Sequence, residues 1–120
     1  MASGWIGVDL DGTLAKYDKW EGIKNIGHPI GPMVKRVKEW LVAGAEIKIF
    51  TARAGYSESI RYIEDWCKLH LGQILPITNI KDFQMVALWD DRCVQVEANS
   101  GRVLNEAFYE YLKGEENVQK

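Results

Sequence analysis

Apolar residues fall along this chain in short blocks separated by glycine, proline and acidic residues. Trp5-Ile6-Gly7-Val8-Asp9-Leu10 is a β-prone run that stops at Asp11-Gly12, and it predicts a buried strand with an acidic pair at its C-terminal end. Residues 15–31 have no period: Gly22, Gly27, Pro29 and Gly31 interrupt them, and they read as an irregular flap. Pro32 suits a first helical turn, Met33, Val34, Val37, Trp40 and Leu41 follow at helical spacing, and Gly44 ends the pattern. A second strand is predicted over 46–50, ending at Thr51. A second helix follows, capped by Ser57 or Ser59, with Ile60, Ile63, Cys67 and Leu71 on its apolar stripe and Gly72 at its end. Residues 74–78 predict a short strand, and Val86-Ala87-Leu88-Trp89 a buried one ending at Asp90-Asp91. Alternation at Val94, Val96 and Ala98, with Asn99-Ser100-Gly101 as the turn into residues 102–104, predicts a C-terminal hairpin. A short helix over 105–113 and a frayed tail over 114–120 complete the chain.

Alternating strands and helices predict an α/β fold: a three-layer, Rossmann-like parallel sheet with right-handed crossovers and flanking helices. Ligands bind such sheets at the C-terminal ends of the strands. Asp9 and Asp11, Thr51, and Asp90 and Asp91 each end a separate predicted strand, with Lys81 just beyond another, so four placements converge on one rim. Trp40, Trp66 and Trp89 read as core, Trp5 as half exposed, His70 and Cys67 as core or boundary residues, and Cys93 as a buried free thiol.

The whole chain, residues 1–120, fits one domain, and 120 residues bury enough surface for a core without staples. Fifteen basic against seventeen acidic residues give a net charge of −2, which argues against a protein that coats nucleic acid. No apolar run is long enough to span a bilayer, no signal peptide is read, and two cysteines match no zinc or redox spacing, so the expectation is a reduced, cytoplasmic protein with no membrane partner.

Several carboxylates in one pocket repel each other unless a cation holds them. An all-oxygen donor set without a Cys/His cluster suits Mg²⁺ rather than zinc. A cation, a lysine and a threonine hydroxyl together seat a phosphate, and Gly12 lets the chain turn so that backbone N–H groups face the same anion. A carboxylate held by such a seat can attack phosphorus, and a second one two residues on can protonate the leaving oxygen and then activate water. Tyr17, Trp20 and His28 are candidates for contact with the leaving group, and Arg53 and Arg92 for a second anion on the rim; packing and ion pairing are the competing roles.

Asp9-Leu10-Asp11-Gly12-Thr13 resembles the first motif of the haloacid dehalogenase (HAD) superfamily. The resemblance extends in order to Thr51 after an apolar strand, to Lys81, and to the strand ending Asp90-Asp91, and so spans residues 5–91. Residues 66–92 are also similar to small, uncharacterised bacterial and phage-encoded members. The resemblance implies that Asp9 is the nucleophile and Asp11 the general acid/base. It implies a phosphate seat from Thr51, the Ala52 N–H, Lys81 and the Gly12 turn, and a Mg²⁺ site from Asp9, the Asp11 carbonyl, Asp90 and Asp91. An aspartate at position 11 goes with phosphatases. The interval from Lys81 to Asp90 is shorter than the pattern expects, with little or no room for a helix.

Residues 14–50 are used up by the flap, one helix and one strand, and residues 52–80 by one helix and one short strand, so no cap domain fits. The site is then open unless the 15–31 segment or a homo-oligomeric partner covers it. The activity implied is Mg²⁺-dependent hydrolysis of a phosphomonoester of unspecified identity. A nucleotide or nucleic-acid-end phosphatase and a non-catalytic binding module are the alternatives; a nucleic-acid partner is allowed by five tryptophans but not favoured without a basic groove. A receiver domain is excluded, because its phosphorylated aspartate would end the mid-chain strand, where Phe50-Thr51 stands.

Overall fold

All four residues of the first strand, β1 (Trp5–Val8), are buried, as befits a strand paired on both sides. The computed structural model describes residues 3–119. In chain order β1 is followed by α1 (Gly31–Val42), β2 (Glu46–Phe50), two 3₁₀ turns (Ala52–Gly55 and Ser57–Ser59), α2 (Ile60–Leu71), β3 (Ile77–Thr78), β4 (Met85–Trp89) and α3 (Glu106–Gln119). The four strands form one sheet in the order β3-β2-β1-β4, and every pairing is parallel. This is the Rossmann-like α/β fold that the strand–helix alternation predicts.

The crossovers β1–α1–β2 and β2–α2–β3 step in one direction, so right-handedness puts α1 and α2 on the same face. Ile6 and Val8 of β1 and Ile47 and Ile49 of β2 point to that face and join Met33, Val37, Ile63, Trp66, Cys67 and Leu71 in the core. Each such side chain stabilises the fold by about 1.5–3 kcal/mol through burial. Gly44 and Gly72, with φ of 89° and 83°, end the helices as the sequence predicts. From β3 the chain passes β2 and β1 and pairs as β4 on the far side of β1, so the strand order reverses between β1 and β4.

Several local expectations need correction. Trp5 is 2% exposed rather than half exposed: it stacks on Phe50 with ring centroids 6.4 Å apart, carries the Lys48 ammonium 4.5 Å over its ring, and donates its indole N–H to Asp82 at 2.9 Å. β4 is an edge strand, not a buried one. Trp89 is 37% exposed and leans on Trp40, 5.0 Å away between centroids, while Val86 is also exposed. The third strand is only two residues long. The hairpin narrows to one bridge, Val96 to Val103, flanked by the Glu97 N–H on the Arg102 carbonyl (2.7 Å) and the Leu104 N–H on the Gln95 carbonyl (2.8 Å). Ser59 precedes α2 but accepts no N–H there; its buried hydroxyl donates to the Tyr56 and Arg53 carbonyls. The last helix runs through Gly114 to Gln119, past the predicted stop, and Lys120 lies outside the described residues. Cys93 is half buried.

The 15–31 segment is a closed loop with paired legs. Lys16 N–H donates to the His28 carbonyl (2.8 Å) and Ile30 N–H to the Leu14 carbonyl (2.7 Å). Gly27 permits this approach, because a Cβ there would collide with the Lys16 carbonyl, and its own carbonyl accepts the Trp66 indole N–H at 2.9 Å. Ile26 and Ile30 pack against the core.

Candidate active site

Asp9 directly follows β1, and its N–H donates to the Trp89 carbonyl at 2.9 Å, extending the ladder by one residue. That bond brings it beside Asp90 and Asp91, which follow β4. Asp9, Asp90 and Asp91 each offer a carboxylate oxygen within 4.8 Å of the others. The cluster therefore lies where the strand order reverses, the place at which open parallel sheets bind ligands. Thr13 clamps it: its Oγ1 accepts the Asp91 N–H at 3.1 Å and stands 3.4 Å from Asp9 Oδ2 and 3.3 Å from Asp91 Oδ1, able to donate to one of them at a time. Gly12 has φ of 93°, and a Cβ there would stand 2.5 Å from Asp91 Oδ2. Glycine at this position gives the Asp91 carboxylate its room.

Burial pushes the Asp9 carboxyl up to about 8, with the charge on Asp90 next in importance, then the hydrogen bond and charge of Asp91, then Asp11. No lysine or arginine among the described residues makes an ion pair with Asp9, Asp90 or Asp91. Three oxygen donors converging without a protein cation, one of them reluctant to ionise, fit a small hard divalent ion.

A consequence can be tested without any metal. In the unfolded chain Asp9 titrates near 3.8 and in the folded chain at about 8, so the fold binds the extra proton between those values. The stability linked to this carboxyl is therefore fully present below pH 4 and is lost as pH rises through 8. Asp9→Asn should raise the melting temperature of the metal-free protein at pH 8.5 by several degrees, from about 1–2 kcal/mol after solvent screening, and should leave it nearly unchanged at pH 4. Thermal melts in EDTA at both pH values check this; equal shifts at both would refute the repulsion.

Asp11 points elsewhere. Arg53 grips its carboxylate with a two-pronged contact, Nε to Oδ2 at 2.8 Å and Nη2 to Oδ1 at 3.0 Å. Nη2 also donates to the Asn25 carbonyl at 2.9 Å, Nη1 to the Ile23 carbonyl at 3.4 Å, and the guanidinium lies 4.8 Å from the centroid of the Trp20 ring. Arg53 is only 3% exposed. Thr51, also buried, accepts the Arg53 N–H on Oγ1 at 3.1 Å and so opens the 3₁₀ turn whose first residue is Ala52. With the Arg53 and Ala54 N–H groups both taken by Thr51, the Ala52 N–H is the turn's one leading donor without an acceptor in the turn.

Asp9, Asp11, Asp90, Thr51, Ala52, Tyr17, Trp20 and Arg53 line one open cavity of about 780 Å³. Asp91 does not line this cavity and is tied to the cluster through Thr13. Four of the expected site residues do not line the cavity: Gly12 and Asp91, which meet each other at the carboxylate cluster, and Lys81 and His28. Lys81 is exposed in the short turn between β3 and β4 and does not line the cavity, although its charge is felt at Cys93 together with those of Asp9, Asp90 and Asp91. His28 is exposed and lines an adjoining hollow with Lys16 and Asp18, which shares Asp11, Tyr17 and Arg53 with the main cavity; its backbone carbonyl is tied to the Lys16 N–H. Sequence reasoning missed Asn79 and Tyr56, which line the main cavity alongside Phe50 and Arg92. Asn79 directly follows β3, so the rule that picked Asp9, Thr51 and Asp90 could have picked it too. Cys93 lies close enough for burial, first, and the nearby carboxylates to raise its thiol, which leaves it protonated rather than nucleophilic.

Fold and site together define a Rossmann-like α/β protein with a carboxylate cluster at its strand-order reversal. A solved structure of a conserved protein from Bacteroides thetaiotaomicron is similar to this chain, with a TM-score of 0.57 and 21% identity over 95% of this chain and 93% of that one. At that identity the likeness is one of fold. No family model matches the chain, and no curated protein matches it. No helix among the described residues is long and apolar enough to cross a membrane.

Proposed function

We propose that the protein is a Mg²⁺-dependent phosphohydrolase that cleaves phosphomonoesters through an aspartyl-phosphate on Asp9, in keeping with its resemblance to the HAD superfamily. The supporting observation is the carboxylate cluster of Asp9, Asp90 and Asp91 at the switch point of the sheet, with Asp9 and Asp90 lining one cavity together with Asp11 and Thr51. Asp9, Asp90 and Asp91, with the Asp11 carbonyl, would hold Mg²⁺. When bound, the ion would keep Asp9 ionised at neutral pH and offset the charge of the substrate phosphate.

The Asp9 carboxylate attacks phosphorus, the bond from phosphorus to the leaving oxygen breaks, and Asp11 supplies that oxygen with a proton. Water then attacks the phosphorus of the aspartyl-phosphate and gives its proton to Asp11. The bond from Asp9 to phosphorus breaks, and inorganic phosphate leaves. The Thr51 hydroxyl and the Ala52 N–H would hold the phosphoryl oxygens. In the resting site Arg53 holds Asp11 as a carboxylate; when Asp11 carries the proton it delivers, the protonated oxygen turns from the guanidinium towards the leaving group.

Purified protein should release phosphate from an aryl phosphate and from several alkyl phosphates with Mg²⁺ and not with EDTA. Mg²⁺ should also raise the melting temperature at pH 7.5, because it binds the folded state alone. Turnover indifferent to EDTA would overturn the proposal. So would Mg²⁺ binding with no hydrolysis across the panel, which would favour a binding module instead.

A further inference from the structure

A phosphate occupies only the floor of a 780 Å³ cavity, so the walls must recognise the leaving group. Those walls carry four aromatic rings from three separate segments: Tyr17 and Trp20 from the 15–31 loop, Phe50 from the last position of β2, and Tyr56 from the turn after it. Phe50 is engaged in stacking on buried Trp5, but Tyr17, Trp20 and Tyr56 belong to no core cluster and remain 39%, 51% and 58% exposed. Their convergence is therefore not a by-product of core packing. Trp20 is also held in place: the Arg53 guanidinium against its ring is itself pinned by Asp11 and the Asn25 carbonyl, while half of the side chain stays open. A fixed, half-exposed indole is a stacking surface that costs little to order. The same cavity is lined by Asn79, whose amide offers both a donor and an acceptor, and by Arg92, whose side chain makes no ion pair among the described residues.

We propose that this wall selects phosphomonoesters whose leaving group carries a planar base, and that the substrate class is the nucleoside monophosphate. The inference rests on the phosphohydrolase reading of the same site. Rings suit a base face and Asn79 a base edge, whereas a bare sugar offers no planar face to stack. A nucleic-acid strand needs a track of cationic residues, and the cavity provides only Arg92 beyond the Arg53 already held by Asp11.

The test compares AMP, ribose 5-phosphate and a 5′-phosphorylated oligonucleotide in phosphate release with Mg²⁺. The same ligands are then titrated calorimetrically into Asp9→Asn protein, where binding is read without turnover. AMP should exceed ribose 5-phosphate by about 10–100-fold in kcat/KM, the worth of one stacked base, and at least tenfold in affinity. Trp20→Ala should collapse both ratios towards one. Tyr56→Ala, whose side chain supports no buried pair, should narrow them even if Trp20→Ala fails to fold. Equal use of AMP and ribose 5-phosphate would overturn the base-stacking wall and leave the hydrolase standing. Preferential AMP binding without hydrolysis of any ester would do the reverse. An oligonucleotide preferred tenfold over AMP would overturn the mononucleotide assignment.

Discussion

Asparagine in place of Asp9 should lower phosphate release by about 10⁴-fold or more, since removing a nucleophile typically costs that much. The substitution is nearly isosteric and removes the charge that burial, Asp90 and Asp91 already resist. The protein should therefore stay folded, and at alkaline pH become more stable without metal. This opposition between activity and stability sets Asp9 apart from a structural carboxylate, whose loss would lower both. Asp11→Asn is the less clean experiment, because it also strips Arg53, 3% exposed, of its only carboxylate partner among the described residues. Activity of Asp9→Asn within tenfold of the parent, measured with Mg²⁺ present, would remove Asp9 from the chemistry.

How far the sequence foretold this arrangement depends on the range of the interactions involved. β1, α1, β2 and α2 were legible because each is an apolar block with a local stop, Gly44 and Gly72 among them, and such signals act within a few residues. The rim was legible for a related reason: in a parallel sheet, whatever follows a strand lands on one edge, which located Asp9, Thr51 and Asp90 without knowledge of their contacts. Burial was less legible. An apolar strand reads the same whether or not a neighbour covers it, so β4 looked internal and stands at the edge, while Trp5 looked peripheral and is enclosed by Lys48, Phe50 and Asp82. The least legible feature was the use of Arg53. The sequence offered it as a candidate for contact with an anion on the rim, yet its partners are Asp11, forty-two positions away, and two carbonyls whose placement depends on the path of an irregular loop. No periodicity encodes that path. Two placements of Gly27, against the Lys16 carbonyl and under Trp66, do.

That loop makes Arg53 the site of the largest expected effect on stability. Arg53→Met keeps most of the length and packing of the side chain but leaves the Asp11 carboxylate, half-enclosed at 20% side-chain exposure, without its partner, and the Ile23 and Asn25 carbonyls without their donor. Breaking a buried pair from one side costs about 3–5 kcal/mol, so unfolding by urea should move by about 3 kcal/mol. Arg53→Lys should recover less than half of this, because an ammonium cannot serve both carboxylate oxygens and two carbonyls in one plane. Removing both charges, in Arg53→Met with Asp11→Asn, should be less damaging than the two single changes added together, with a coupling of about 2 kcal/mol. The loss should also be local before it is global. Backbone amides of residues 17–28 should exchange with solvent faster in Arg53→Met, while those of β1 and β2 keep their protection up to the lowered global limit. A shift below 1 kcal/mol, or exchange that rises evenly over the whole chain, would show that the loop is held by its paired backbone legs, Ile26, Ile30 and the Trp66 indole without help from Arg53.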